Sequence, residues 1–183
     1  MKAEGSMDKF YQYAFPMSTV LVTCNDDTGK TNIITIAWHT TISKNPPLYG
    51  ISIAPSRYSH ELIKKNQEFV INFVPFELVD KAHFCGTHSG RRTDKSSETG
   101  LTLSSSKKVK IPLINECYAH LECELKKSIT IGDHTLLIGE VLAVQTDEEV
   151  FENDVLAIYK IQPLFYLGGN SYSAIDGKKK KDY

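Results

Sequence analysis

Residues Asn32 to Ser59, NIITIAWHTTISKNPPLYGISIAPSRYS, decide how this chain is read. The stretch gives two β-branched strands, NIITIAW and LYGISIA, joined by a polar loop that ends in Pro46-Pro47. Such residues suit the pleated surface of a sheet, and the double proline forces an extended entry into the second strand. The turn PSRYS then feeds a short helix. It sets Ser56, Arg57 and Ser59 where unbonded backbone N–H groups collect at a helix start, a suitable place to hold a phosphate.

Upstream, Phe10 to Phe15 forms an aromatic lead-in to Pro16, and MSTVLVTC reads as a strand. NDDTGKT is a polar turn with Gly29 at its positive-φ position, so MSTVLVTC and NIITIAW form an antiparallel hairpin. Downstream, HELIKKNQ reads as a helix capped by Ser59, with Leu62 and Ile63 turned inward. FVINFV is a buried strand stopped by Pro75, and Glu77 to Cys85 carries an apolar helical face. GTHSGRRTDKSSETG is a long loop of the length that functional loops often have. CYAHLECELKK alternates, which places His120, Glu122, Glu124 and Lys126 on a solvent face. TLLIGEVLAVQT is a long strand with little polar face, which a helix or a second subunit must cover, and PLFYLGG is a final aromatic strand or loop. Many short strands with two or three helices give a mainly β fold, a β-barrel with peripheral helices. Residues 1–9 are read as a flexible leader, 10–170 as the domain, and 171–183, with Lys178 to Lys181, as a basic mobile tail.

A chain of 183 residues is most simply one domain, able to bury about two thirds of its unfolded surface. The net charge of −1 provides no overall field for nucleic acid or anionic lipid. No apolar segment approaches the ~20 residues that cross a membrane, and no signal-peptide core is evident. Cys24, Cys85, Cys117 and Cys123 show no CxxC pairing, so free thiols in a reducing cytoplasm are expected.

Four groups of residues could carry chemistry. Arg57 can fork two N–H bonds to a phosphate while Ser56 and Ser59 add hydroxyls, with Lys95 supplying a second cation beside Ser89, Gly90 and Thr93. The same residues also suit plain exposed loops. Trp38, the only tryptophan, is either a core anchor or an aromatic wall beside a planar ring. His134, in the turn Gly132-Asp133-His134, is either a surface histidine or a partner for charge on a redox ring, its reference pKa being about 6.5. The spacing of His83, Cys85 and His88 matches no common zinc pattern, so no metal is expected. There is no GxSxG elbow to support a Ser-His-Asp triad, and neither GxGxxG nor a P-loop is present.

Taken in order, several pieces resemble the flavin reductase-like family of FMN-binding split barrels, close to its flavoredoxin-like branch. They are Pro16 with VLVTC, Gly29-x-x-Asn32, Thr35-Ile36-Ala37-Trp38, Pro46-Pro47, ISIAPSRYS, FVINFV with Asn72, Ser89-Gly90 with Asp94-Lys95, and Gly132-Asp133-His134 leading into GEVLAV. The resemblance covers roughly residues 14 to 170. It implies a six-stranded Greek-key split β-barrel that forms a homodimer and binds FMN near the subunit interface. By the same resemblance Asn32, Thr35, Ala37 and Trp38 surround the isoalloxazine. Ser56, Arg57, Tyr58 and Ser59 lie by the phosphate and ribityl chain, and Ser89, Gly90 and Lys95 close on the phosphate. His134 and Tyr166 match positions beside the ring, and Asn72 joins the cofactor set. This chain departs from the family at Cys24, where Thr is frequent, and at Ser96, where a bulky apolar residue often follows the lysine.

Three functions are open at this stage. One is an enzyme in which NADH or NADPH reduces FMN and electrons pass to a further acceptor, with His134 as the candidate catalytic residue. The second is a flavoredoxin-type electron carrier with protein redox partners. The third is a β-barrel binding module without flavin.

Overall fold

The computed structural model describes residues 2–175 and residue 181, so most of the lysine run lies outside the described residues. Its centre is one antiparallel sheet of seven strands. In chain order these are β2 (Val20–Asn25), β3 (Thr31–Ile36), β4 (His39–Ser43), β5 (Leu48–Ile53), β6 (Glu68–Phe73), β9 (Ala119–Ile131) and β10 (His134–Thr146). They lie in the order β3-β2-β6-β9-β10-β5-β4. The sheet curls until β3 touches β5, and Ser52 N–H donates to Trp38 O across that seam at 2.8 Å. The split-barrel class is as expected, with β4 added to the six expected strands.

Interior residues alternate along the strands as the pleat requires. Val20, Val22 and Cys24 of β2 meet Ile34 and Ile36, Ile51 and Ile53, Phe69 and Ile71, and Leu137 in one buried cluster. Helix α1 (Tyr58–Asn66) closes one end of it with Leu62 and Ile63. The other face of β2 and β3, through Leu21 and Ile33, packs on helix α2 (Val79–Thr87) through Ala82 and Cys85. A small sheet of β1 (Met17–Ser18), β13 (Leu164–Gly168) and β14 (Ser171–Ala174) borders this second cluster. Short pairs, β7 (Leu103–Ser104) with β8 (Leu113–Ile114) and β11 (Phe151–Glu152) with β12 (Val155–Leu156), complete the fold.

The structure corrects several expectations. The polar loop after Trp38 contains β4, pairing His39 with Ile51 and Thr40 with Gly50. Trp38 itself lies past the end of β3, in the bend that the Ser52 bond fixes. Ser59 does not cap α1: Arg57 holds the N-cap position without a side-chain bond, and Ser59 sits in the first turn. Inside the long loop runs helix α3 (Lys95–Thr99), with Asp94 Oδ1 accepting from Ser97 N–H and Gly100 ending it at φ +62°. The domain boundary at 170 cuts the hairpin of β13 and β14, so the fold runs on to Ala174.

The supposed solvent face of β9 is buried at His120 and Glu122, 5% and 0% exposed. Residues 107–109 fold over it and give their backbone N–H groups to the Glu122 carboxylate. All four cysteines are buried and unpaired. Burial pushes the thiols of Cys24 and Cys85 up to about 11 and that of Cys123 to about 12. No described helix is long and apolar enough to cross a membrane.

Candidate functional site

A continuous cleft crosses the outside of the barrel from the start of α1 to the turn between β9 and β10. Its polar end, about 250 Å³, lies between β3, the PSRYS turn, the end of α2 and the loop before α3. Its aromatic end, about 530 Å³, lies between β3, β5 and the N-terminal segment. Ile34, Ser56, Arg57 and Gly86 line both ends and join them.

At the polar end the local folding explains each side chain. Arg57 N–H donates to Ala54 O and Arg57 O accepts from His60 N–H, so the PSRYS turn is closed at both sides of the arginine. The guanidinium makes no hydrogen bond or ion pair with a described residue, which leaves its planar fork of donors available. Lys95 is 5% exposed and donates from Nζ to Ile33 O at 2.6 Å and Cys85 O at 2.7 Å. Burial holds its pKa below the usual lysine value, and the Arg57 charge adds to that. Asn32 donates from Nδ2 to Ser59 Oγ at 2.7 Å, while its buried Oδ1 has no hydrogen-bond partner among the described residues. Gly90 packs directly on that amide: a Cβ there would stand 1.8 Å from Asn32 Oδ1, so only glycine permits the approach. Tyr58 lies beneath Arg91, whose guanidinium is 4.5 Å from the ring and is paired to Glu61 at 2.6 Å.

The aromatic end is built from contacts distant in sequence. Trp38 meets the His134 ring at 4.8 Å and Tyr11 at 5.7 Å. Tyr11 meets Phe15, and Phe15 meets Tyr166 at 5.2 Å. His134 Nδ1 donates to Asp133 Oδ1 at 2.8 Å, and this bond holds the Asp133 carboxyl below the usual carboxylate range. Thr35 and Ala37 form the floor between these walls.

Every sequence-chosen residue except Asn72 therefore lines this one cleft. Asn72 is fully buried elsewhere: Nδ2 donates to Leu21 O, and Oδ1 accepts from Ile114 N–H and His120 Nδ1–H. The sequence reading missed Tyr11 and Phe15, which it treated as a lead-in, and Gly86. The aromatic spacing of FYQYAF, which begins in the 3-10 segment Met7–Ala14 and ends one residue past it, is the one signal that could have pointed there. Among the described residues no three His, Cys, Asp or Glu side chains converge as metal ligands. His83 instead meets the Tyr172 hydroxyl at 3.3 Å, and His88 stacks on Phe84 at 3.9 Å.

A family model described as a flavin reductase like domain matches residues 12–174. An uncharacterized protein of Archaeoglobus fulgidus is 42% identical over 133 residues, covering 73% of this chain and 74% of that protein. An FMN-binding protein from Thermus thermophilus superimposes with a TM-score of 0.83 at 30% identity, covering 100% of this chain and 98% of its own. A flavoredoxin from Methanosarcina acetivorans gives 0.87 at 28%, with coverage of 100% and 95%.

Proposed function

The chain belongs to the flavin reductase-like family, and from that premise we propose an FMN-binding oxidoreductase that takes electrons from NADH or NADPH and delivers them to a further acceptor. The observation that carries this reading is the cleft itself, with a cationic, hydroxyl-lined end joined to an aromatic end. An Arg57 guanidinium with no partner among the described residues, beside the hydroxyls of Ser56, Ser59 and Ser89, is what a bound phosphate would satisfy. The residues present fit FMN.

In this reading Arg57, Lys95, Ser56, Ser59 and Ser89 hold the phosphate, the arginine by a bidentate fork and the lysine as a tethered point charge. Asn32 positions the Ser59 hydroxyl through its Nδ2–H, and Gly90 lets the loop close over that amide. Trp38, Tyr11 and Phe15 exclude water from the ring end. His134 keeps its proton on Nδ1 through Asp133, so Nε2 is the nitrogen left to face a ligand. FMN, when bound, supplies the two-electron chemistry that no side chain here can provide. The proposal includes a homodimer, in which a second copy covers Leu142 and Val144, 39% and 59% exposed on β10. It also includes a reducing cytoplasm, where the four thiols stay free.

The first test is the absorption spectrum of the untreated protein, then stopped-flow mixing with NADH and NADPH. Prompt bleaching of a flavin band supports the enzyme. Colourless protein whose melting temperature ignores excess FMN would end the reading, because a ligand at one hundred times its Kd adds about 2.7 kcal/mol. The structural likeness to a flavoredoxin supports a second reading, a carrier with protein partners. Bleaching by a reduced ferredoxin but by neither nicotinamide would select it. Trp38→Ala is expected to shift the absorbance or fluorescence of bound flavin. An identical spectrum would remove Trp38 from the ring site.

A further inference from the structure

One wall of the polar end is a turn rather than part of the sheet. Residues 89–93 close on themselves between α2 and α3, Ser89 O accepting from Arg92 N–H at 3.0 Å and Thr93 N–H at 3.1 Å. The residues on either side are fixed independently. Thr87 and His88 bond back to carbonyls of α2, and Asp94 pairs with Lys30 Nζ at 3.0 Å. The turn itself contains no buried residue. Among the described residues, its one side-chain hydrogen bond or ion pair to another element is from Arg91 Nη2 to Glu61 Oε2, at 2.6 Å.

Tyr58 and Glu61 stand three residues apart on α1, a spacing that puts both on one helix face. The Arg91 guanidinium therefore meets both at once, 4.5 Å from the Tyr58 ring and paired to the carboxylate. Ser89, Gly90 and Tyr58 line the cleft, whereas Arg91 and Glu61 do not. Arg91 is thus spent on α1 and reaches a ligand only through the turn it holds. Each of its two contacts is half exposed and individually weak, but a turn with nothing buried has little else to keep it shut. We propose that Arg91 is the positioning residue of this wall: it clamps the turn onto Tyr58 and Glu61, and release of the clamp sets how fast FMN leaves. The part concerning FMN rests on the flavin reading; the clamp itself does not. A tight clamp makes FMN a retained cofactor, and a loose one makes it an exchanged substrate.

Stopped-flow mixing of FMN with unliganded protein at a series of protein concentrations gives the association rate as the slope and the release rate as the intercept. Arg91→Ala is expected to raise the release rate about three- to tenfold, the loss of one cation–π contact and one exposed ion pair, with the slope changed by less than about twofold. Glu61→Ala, which removes the pair alone, is expected to raise it about twofold. The double variant should release FMN no faster than Arg91→Ala, since the two residues act through one contact. The sign at Glu61 separates a clamp from a mere positive field: removing a carboxylate near a bound phosphate would by charge alone slow release. Slower release from Glu61→Ala, additive effects in the double variant, or an unchanged intercept for Arg91→Ala would each overturn the proposal. Amide exchange of residues 89–93 in unliganded protein reads the clamp without FMN, and both single variants should exchange faster there. Faster exchange in protein that takes up no FMN would keep the clamp and end the flavin reading. FMN binding with exchange equal to wild type in Arg91→Ala would do the opposite.

Discussion

Glu122→Ala is expected to lower the stability of the fold by about 3–5 kcal/mol, because it strands the buried Val109 N–H and three part-buried donors at about 1–3 kcal/mol each. The carboxylate is fully buried on β9. Oε1 accepts from Lys107 N–H at 2.9 Å and Gln145 Nε2 at 2.8 Å, while Oε2 accepts from Lys108 N–H at 2.6 Å and Val109 N–H at 3.3 Å. Glu122→Gln should cost nearly as much, since its amide NH₂ would face two N–H donors where an acceptor is needed. Burial pushes the carboxyl up, yet the donated bonds outweigh it and hold the pKa below the usual glutamate value. A group depressed in the folded state stabilises fully above its unfolded pKa of about 4.3 and loses that contribution as pH falls through the folded value. Urea unfolding at pH 7 and at successively lower pH should show wild type losing this contribution while Glu122→Gln shows none to lose. Equal midpoints for wild type and Glu122→Ala at pH 7 would refute the role.

Arg57→Ala is expected to weaken FMN binding by about 1.5–3 kcal/mol, the range for a hydrogen bond to a charged group. Its guanidinium has no partner among the described residues to strand, so the melting temperature of the unliganded protein should barely move. The neighbouring Lys95 is bound to two carbonyls and keeps its place without the arginine. Arg57→Lys should recover only part of the affinity, because an ammonium cannot reproduce the bidentate fork. Fluorescence titration with FMN measures both variants, and an unchanged Kd for Arg57→Ala would take that residue out of the site.

Much of the cleft was legible because its parts are local. PSRYS is a turn whose chemistry sits in five consecutive residues, and Thr35 to Trp38 run from the end of β3 into the bend that follows it. What escaped depends on partners remote in sequence. The alternation at His120 and Glu122 looked like a solvent face because nothing in SSKKVKIP announces that its backbone folds over β9. Asn72 matched a family position, yet its amide is consumed by Leu21, Ile114 and His120 inside the barrel. Helix α3 was a different failure, since Asp94 is a favoured N-cap residue and Gly100 a natural helix stop, both readable in the sequence. The aromatic spacing around Tyr11 hinted at a role, but which ring it meets depends on the tertiary contact that brings it over Trp38.

The cysteines, all sealed in the interior, have a practical consequence for kinetics. A thiol-specific dye added to native protein can react only after a segment opens. Cys24 and Cys123 would report on breathing of the barrel and Cys85 on detachment of α2. Labelling rates therefore resolve the motions of separate regions without any introduced probe, and a bound ligand that clamps α2 should slow the reaction of Cys85 first.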